Sequence, residues 1–374
     1  MSTLKVDAIG KFDTTANAIT FDSNNNASFT GSVNATNPMM NRNLLINGGM
    51  NIWQRSTSES VTTTGYYTVD RFEWSRNGSA VYTMSRSTDI PSAQGFGYSL
   101  KLDNTTALAS PSAANYVMFM QKIEGQNLQH LLKGTSSAKK VTLSFWVKSN
   151  KTGTYIARLS DVDNSRHTSK SYTIDSSNTW EKKTITYDGD TTGALDNDNN
   201  GSLELQFWLS AGTDYTSGTL ATSWESSTSA NIAVGQVNLS DSTSNEWYVT
   251  GVQLEVGSQA TNFEFEPYEK VLYKCQRYYD QNTGQLWGAI AGTATALQFG
   301  SARYTREMRA SPTVVLYGSG TANRVRRGSN GTTVDVSSGA TIGRNAKGID
   351  FITKTSAFNA GSWYQAGYTA NAEL

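Results

Sequence analysis

The sequence of 374 residues is poor in the residue types that disulfide frameworks, metal centres and many catalytic sites require. Its single cysteine, Cys275, excludes an internal disulfide framework. Only His130 and His167 could serve a histidine-rich metal site or a Ser-His-acid triad, and no G-x-S-x-G motif accompanies them. The sequence therefore predicts a protein without catalytic residues, stabilised by packing or by assembly.

Neither sign of charge is in excess, and long apolar runs are missing. The 31 basic and 31 acidic residues balance, which excludes a broad electrostatic attraction for nucleic acid or for an anionic membrane. No 18 uncharged apolar residues follow one another, so we expect no membrane span, and the first residues lack the apolar core of an export signal. Proline is scarce at 5 residues, whereas 18 Tyr, 13 Phe, 9 Trp and 32 Gly indicate strands joined by polar turns.

Hydrophobic patterning predicts an all-β chain in three parts. Residues 1–40 carry sparse apolar positions that cannot close a core, so we expect them to pack against copies of themselves around a symmetry axis. Residues 41–268 contain many period-2 segments and are predicted to form a β-sandwich or jelly roll. Residues 269–374 are predicted to form a smaller β-sandwich.

Individual strands and helices can be placed from the same patterns. Val141, Leu143 and Phe145 share one face of VTLSFWVK, and the alternation in LELQFWLS from Leu203 is the same. Further strands are predicted from Val81, Tyr98, Tyr116, Thr154, Trp180, Trp247, Thr313, Thr332, Ile349 and Trp363. The spacing of leucines in GQNLQHLLKG predicts one short helix, and YEKVLYKCQRYYD predicts an amphipathic helix.

The alternation places two tryptophans, Trp146 and Trp208, away from the aliphatic core. Lys148 flanks the first, and Glu204 and Gln206 flank the second. A large aromatic on an outer face needs a reason, and stacking against sugar rings is one, with the polar neighbours orienting the hydroxyl groups. The alternative is that another layer covers this face: the second sheet, the segment with Trp53, or a neighbouring subunit.

A polar loop resembles half of a calcium-binding loop. Asp196, Asp198 and Asn200 occupy positions 1, 3 and 5, and Gly201 occupies position 6. Position 12 is Phe207 instead of a bidentate Glu, so a plain polar loop is the first expectation. A structural calcium ion is the alternative, and no other cofactor is expected.

Three stretches give the chain a family resemblance. They are STLKVDAI near the start, NRNLLINGGMNIWQRS followed by TVDRFEW, and GVQLEVGSQATNFEFEPYEKVLYKCQRYY with MRASPTVVLY. In this order they resemble fibre-type virion proteins of tailed phages, especially marine and cyanobacterial phages. The resemblance implies a jelly roll similar to carbohydrate-binding modules, a short C-terminal β domain, and a homotrimer on the virion.

The predicted function is accordingly structural: a homotrimeric tail fibre or adhesin that contacts host surface polysaccharide. Residues 1–40 are expected to bind other virion proteins of the tail, adaptor or capsid, after assembly in the host cytoplasm. A capsid decoration, head-fibre or tail-assembly protein without host recognition is the alternative.

Two further patterns each have a functional interpretation and an argument against it. Glu204 and the acids of DNDNNG could form a glycosidase pair, but the long parallel β-helix of depolymerase tailspikes is missing. The basic run Arg324–Arg327 places Arg324 and Arg326 on one face, where they could meet acidic lipopolysaccharide; a solvated strand end is the alternative.

The segment Asn41–Ser56 is interpreted as a junction into the sandwich. Its leucines are expected to enter the core, Gly48-Gly49 to form a turn with positive φ, and Ile52 and Trp53 to cap a sheet face.

Overall fold

The computed structural model describes residues 8–10, 17–21, 27–29 and 41–374, except positions 294, 319, 329, 339, 355 and 356. The chain divides into two compact units, Met1–Arg42 and Asn43–Leu374. In the first, β1 (Ala8–Gly10), β2 (Asn17–Phe21) and β3 (Ala27–Phe29) form an antiparallel sheet in that order. The prediction that residues 1–40 pack against copies of themselves depends on side chains outside the described residues.

Two six-stranded antiparallel sheets make up the larger part of the second unit. Their strands are β4 (Ser58–Val61), β5 (Glu73–Asn77), β6 (Val81–Ser87), β7 (Ser99–Thr106), β8 (Tyr116–Glu124), β9 (Val141–Ser149), β10 (Gly153–Asp161), β11 (Arg166–Ile174), β12 (Glu181–Tyr187), β13 (Gly201–Ala211), β14 (Glu225–Ser226) and β15 (Glu246–Val256). Sheet I has the order β14-β11-β10-β13-β8-β5, and sheet II has the order β12-β9-β15-β7-β6-β4. The all-β sandwich predicted from sequence is confirmed.

The hydrophobic core lies between these sheets. Phe145 of sheet II contacts Phe207 of sheet I, with 5.0 Å between ring centroids, and Trp247 of sheet II lies 5.8 Å from Phe207. All three side chains are buried, and burial of one such side chain contributes about 1.5–3 kcal/mol. The period-2 pattern of β9 and β13 therefore identified the core-facing residues correctly.

Helical structure is confined to short segments. The helix α1 spans Thr213–Thr216. The helix α2 spans Tyr268–Cys275 and buries Val271 and Cys275, but it is shorter than predicted, because a strand begins at Tyr279. The 3-10 turns are Gly125–Asn127, Gln129–Leu131, Ser229–Asn231 and Leu239–Asp241. The short helix predicted in GQNLQHLLKG is divided into two 3-10 turns that meet at Leu128, and the left-handed φ of 53° at Leu132 ends the second turn.

The junction segment enters the sandwich, but its glycines act differently from the prediction. The positive φ angles belong to Asn47 and Met50, not to Gly48-Gly49. Asn47 tolerates this conformation because its side-chain Oδ1 accepts hydrogen bonds from the amides of Asn51 and Ile52. At Gly48 a Cβ would lie 1.9 Å from the carbonyl oxygen of Val252, so close approach to β15 is what requires glycine.

The C-terminal strands form one nine-stranded sheet with its own core. They are β16 (Tyr279–Thr293), β17 (Ala296–Arg303), β18 (Thr313–Gly318), β19 (Thr321–Ala322), β20 (Arg324–Arg327), β21 (Thr333–Asp335), β22 (Ala340–Asn345), β23 (Gly348–Lys354) and β24 (Trp363–Asn371). The main order is β19-β18-β24-β16-β17-β23-β22, and β20 pairs with both β21 and β24. Leu316, Tyr364 and Tyr368 lie in a hydrophobic cluster separate from that of the sandwich.

Buried ion pairs connect this sheet to the sandwich. The carboxylate of Glu373 pairs with Arg71 and, at 3.2 Å, with Arg55. Arg277 donates two hydrogen bonds of 2.8 and 2.9 Å to the fully buried Glu124. Residues 43–374 accordingly form one compact unit, and a domain boundary after residue 268 stays a prediction. Among the helices of the described residues, none is long and apolar enough to span a membrane.

Candidate functional site

The two outward tryptophans do not share a platform. Trp146 lies on β9 of sheet II, whereas Trp208 lies on β13 of sheet I. The sheets face each other through the core, so side chains on their outer faces point in opposite directions. The predicted carbohydrate-binding residues are therefore divided between two faces, with Trp146 and Lys148 on sheet II and Trp208, Glu204 and Gln206 on sheet I.

The outer face of sheet I is covered by the chain itself. Trp208 is 2% exposed and packs against Tyr116 and Tyr215, at ring distances of 5.7 and 5.2 Å. Ile232 belongs to the same cluster, and it lies, like Tyr215, in the segment 212–238 that connects β13 towards β15. Because this covering layer leaves the indole almost no surface, Trp208 cannot stack on a ligand in this structure.

Beside Trp208 the covered face holds a connected row of polar side chains. The Gln206 Oε1 atom accepts hydrogen bonds of 3.0 Å from both Arg158 and Trp208, and the Gln206 amide donates to Glu204 at 2.6 Å. The Arg158 Nε atom donates to the Nδ1 atom of His167 at 3.1 Å. Glu204 and Gln206 are thus parts of an internal network.

Burial lowers the pKa values of two basic side chains in this row. Burial lowers the pKa of Arg158 to about 10, against an opposing effect of Glu204. The pKa of His167 is also lowered, first by burial and then by Arg158, and Glu225 only partly offsets these effects. His167 lies in β11, because Arg166–Ile174 pairs along β10. The sequence reasoning missed Arg158, which reads as one polar position of an alternating strand.

The outer face of sheet II carries a row of alternating aromatic and basic side chains. Lys148 lies opposite Tyr248 in the strand register, and its Nζ atom is 4.3 Å from the Tyr248 ring centroid and 5.7 Å from the Trp180 ring centroid. Lys101 follows on β7, opposite Tyr248, with its Nζ atom 5.8 Å from the same tyrosine ring. Cation–π contacts of this kind hold the rings and the amines in fixed positions.

Carboxylates at the edges of this row fix it further. Asp89 forms an ion pair with Lys148 and accepts a hydrogen bond of 2.8 Å from the indole of Trp180. Glu246 pairs with Lys101 and accepts a hydrogen bond of 2.7 Å from the Tyr248 hydroxyl. Burial raises the pKa of both carboxyl groups, but these hydrogen bonds more than offset it, so both pKa values are lowered. Both groups are charged at neutral pH.

Trp146 completes this face. It lies opposite Lys182 on β12 and Thr250 on β15, and Trp180 precedes Lys182 by two residues, so the alternation puts both indoles on the same face. Both indoles are partly exposed, whereas Lys148 and Tyr248 are buried between them and the charged edge. Trp180 directly precedes β12 and begins the strand that the sequence predicts there, where the alternation places it on the same face as Lys182.

The segment that resembles half of a calcium-binding loop is held in place by hydrogen bonds. The Asp198 carboxylate accepts hydrogen bonds from the amide and the side chain of Asn200, at 2.8 and 2.6 Å. The carbonyl of Asp196 accepts from Gln129 at 3.1 Å, and its amide donates to Asp163 at 2.9 Å. Within the described part of the chain, no three His, Cys, Asp or Glu side chains are grouped as metal ligands. A calcium ion bound by Asp196, Asp198 and Asn200 stays a prediction.

Comparisons with known proteins give matches among solved structures. No family model matches the chain, and no curated protein matches it. The enzymatically active domain of tailspike protein 4 of bacteriophage CBA120 aligns at 16% identity and a TM-score of 0.32, over 57% of this chain and 21% of that chain. A family 61 carbohydrate-binding module in complex with β-1,4-galactotriose aligns at 11% identity and a TM-score of 0.29, over 58% and 99%.

A family 11 carbohydrate-binding module from a cellulosomal cellulase of Clostridium thermocellum aligns at 12% identity and a TM-score of 0.27, over 55% of this chain and 99% of that chain. The chain spans about a fifth of the length of the tailspike structure and nearly the whole length of the two modules.

Proposed function

We propose that the outer face of sheet II binds a polysaccharide and that the chain acts by binding instead of catalysis. The pair Trp146 and Trp180 carries this proposal, because both indoles lie partly exposed on the same face of adjacent strands. Indole rings offer flat apolar surfaces on which sugar rings stack. Asp89, Lys101 and Glu246 supply charged hydrogen-bonding groups beside them, already held in place by their neighbours.

We propose further that the chain is a structural protein of a phage virion, as a homotrimeric tail fibre. The support is the resemblance of its three sequence stretches to fibre-type proteins. In this proposal residues 1–40 attach the protein to other virion proteins, and the sandwich contacts polysaccharide of the host surface. Three linked copies would raise avidity by about 10²–10⁴ without tight single contacts, so one shallow face per copy suffices.

Retention on host polysaccharide tests the binding face. We expect Trp146→Ala and Trp180→Ala each to weaken binding about tenfold or more, since anchor aromatics dominate such interfaces. Trp224→Ala is the matched control. Its indole donates to the carbonyl of Asp188 at 2.8 Å and lies 5.1 Å from a lysine amine, Lys133, much as Trp180 is held by Asp89 and Lys148.

The outcomes distinguish the proposed binding face from the proposed role as a trimeric virion fibre. Equal retention of wild type, Trp180→Ala and Trp224→Ala would show that the sheet II face is not the binding site. A folded trimer that is retained by no host polysaccharide and does not block adsorption would favour a capsid decoration, head-fibre or tail-assembly protein. A monomer in light scattering would contradict the trimeric fibre and leave the binding face in place.

A further inference from the structure

The C-terminal sheet exposes a tryptophan that the site on sheet II does not use. Trp363 begins β24, and 47% of its side chain is exposed. Its neighbour in sequence, Tyr364, points into the C-terminal core, so Trp363 lies on the outer face of this sheet. A large aromatic exposed to this degree on a strand needs an explanation.

The indole of Trp363 packs against a glycine, Gly328. Gly328 donates a backbone hydrogen bond of 3.1 Å to the carbonyl of Trp363. A Cβ at Gly328 would lie 2.1 Å from Cε2 and 2.2 Å from Cζ2 of the indole, so only glycine admits the ring there. Because one face of the ring lies over this backbone, the exposed surface belongs to the opposite face and the edges. This is the geometry of a rigid stacking platform.

Arg326 lies on the same outer face as Trp363. Arg326 on β20 is opposite Gln365 in the register, which puts it diagonally from Trp363 on the same outer face. Its guanidinium lies beside Gly331, where a Cβ would be 3.4 Å from the Nη2 atom. A side chain at Gly328 would collide with the indole, whereas the guanidinium is in ordinary van der Waals range of position 331.

The charge of Arg326 is not neutralised by an ion pair. In the part of the chain that the structure describes, no carboxylate lies within 4.0 Å of its guanidinium. Arg324, two residues earlier on the same face, differs in that it pairs with Asp335 at 3.6 Å. An arginine without a carboxylate partner beside an exposed indole favours a ligand that is anionic and has a ring to stack.

We propose that Trp363 and Arg326 form a second carbohydrate subsite, which binds a sugar ring that carries a carboxylate or a phosphate. The ring stacks on Trp363, the anionic group accepts hydrogen bonds from Arg326, and Gln365 lies between them as a further polar contact. This subsite shares no residue with the sheet II face, so the two proposed sites can be tested independently. This subsite is expected to select anionic sugars. The sheet II face is not, because its lysines are already paired with Asp89 and Glu246.

The test uses the full chain with the sheet II pair already removed, in the Trp146→Ala, Trp180→Ala background. Binding is measured to polygalacturonate, to a phosphorylated mannan and to a neutral galactan. We expect at least one anionic polymer to bind better than the galactan. Trp363→Ala should weaken that binding about tenfold, and Arg326→Gln should remove the preference over the neutral polymer.

The sheet supplies matched controls for both residues. Phe351 is also an exposed aromatic whose ring lies on a glycine, since a Cβ at Gly343 would be 2.3 Å from it. Phe351→Ala and Arg324→Gln should both leave binding unchanged. Equal binding of the three polymers by the background protein would overturn the proposal. So would equal effects of Trp363→Ala and Phe351→Ala, or of Arg326→Gln and Arg324→Gln. The better of the two anionic polymers identifies carboxylate or phosphate as the recognised group.

Discussion

The two outer faces of the sandwich carry the same alternating pattern and end in opposite environments. On sheet I the segment 212–238 covers Trp208, and the polar side chains Arg158, His167 and Gln206 bond to one another beneath it. On sheet II the indoles of Trp146 and Trp180 keep part of their surface exposed. An outward tryptophan thus becomes a packing residue on one face and a candidate ligand contact on the other.

This difference follows from what each face can satisfy internally. A covered face is destabilised by each buried polar group that it leaves unpaired, because such a donor or acceptor costs about 1–3 kcal/mol. On sheet II the charges of Asp89 and Glu246 are paired but remain at the edge of the face, where a ligand can reach them. We therefore expect mutations to affect stability on sheet I and binding on sheet II.

The largest effect is expected when the two tryptophans are truncated. Trp208→Ala should lower the free energy of unfolding by about 3–5 kcal/mol, because it leaves a cavity beneath the covering segment. Trp146→Ala should cost about 1 kcal/mol or less, since part of its surface is already in water. Urea unfolding of both variants measures this, and similar losses of stability would contradict the contrast between the faces.

A smaller effect is expected at the polar row of sheet I. Arg158→Ala removes the donors to His167 and Gln206 and should lower the free energy of unfolding by about 1–3 kcal/mol. Lys182→Ala, at an exposed position opposite Trp146, is the control and should stay within about 0.5 kcal/mol of wild type. If Arg158→Ala is as stable as the control, the row contributes nothing to the covered face.

The smallest effect is a difference in pH dependence. The folded-state pKa of His167 is lowered, so below the unfolded pKa of about 6.5 the unfolded chain binds more protons. The contribution of His167 to stability is therefore present above that pH and is lost as the pH falls towards the folded-state pKa. His167→Gln should lose less stability between pH 7 and pH 5 than wild type in urea unfolding.

The open face should respond only at lower pH. The lowered pKa values of Asp89 and Glu246 keep both carboxylates charged until the pH falls below their ordinary values of 3.8 and 4.5. Their ion pairs with Lys148 and Lys101 are accordingly retained at pH 5. An unchanged pH profile of His167→Gln, or a loss of the sheet II ion pairs at pH 5, would run against this assignment.

Sequence patterns predicted the layers of this fold better than its site. Period-2 alternation found the inward residues of β9 and β13, because burial against a facing sheet leaves a direct trace in the sequence. It could not tell which sheet each strand joins, and Trp146 and Trp208 lie on different sheets. Covering of Trp208 depends on Tyr215 and Ile232, which lie in a segment without regular periodicity. The position of Trp180 on the outer face could have been predicted from the sequence, since Trp180 continues the alternation of β12.

Hydrogen exchange with and without bound polysaccharide tests the difference between the two faces most directly. The expected result is ligand-dependent protection in Val141–Ser149 and at the start of Glu181–Tyr187, on sheet II. Exchange in Gly201–Ala211 and in the segment 212–238 should not change. Protection confined to Gly201–Ala211 and the covering segment, with none on sheet II, would contradict the assignment of the binding face.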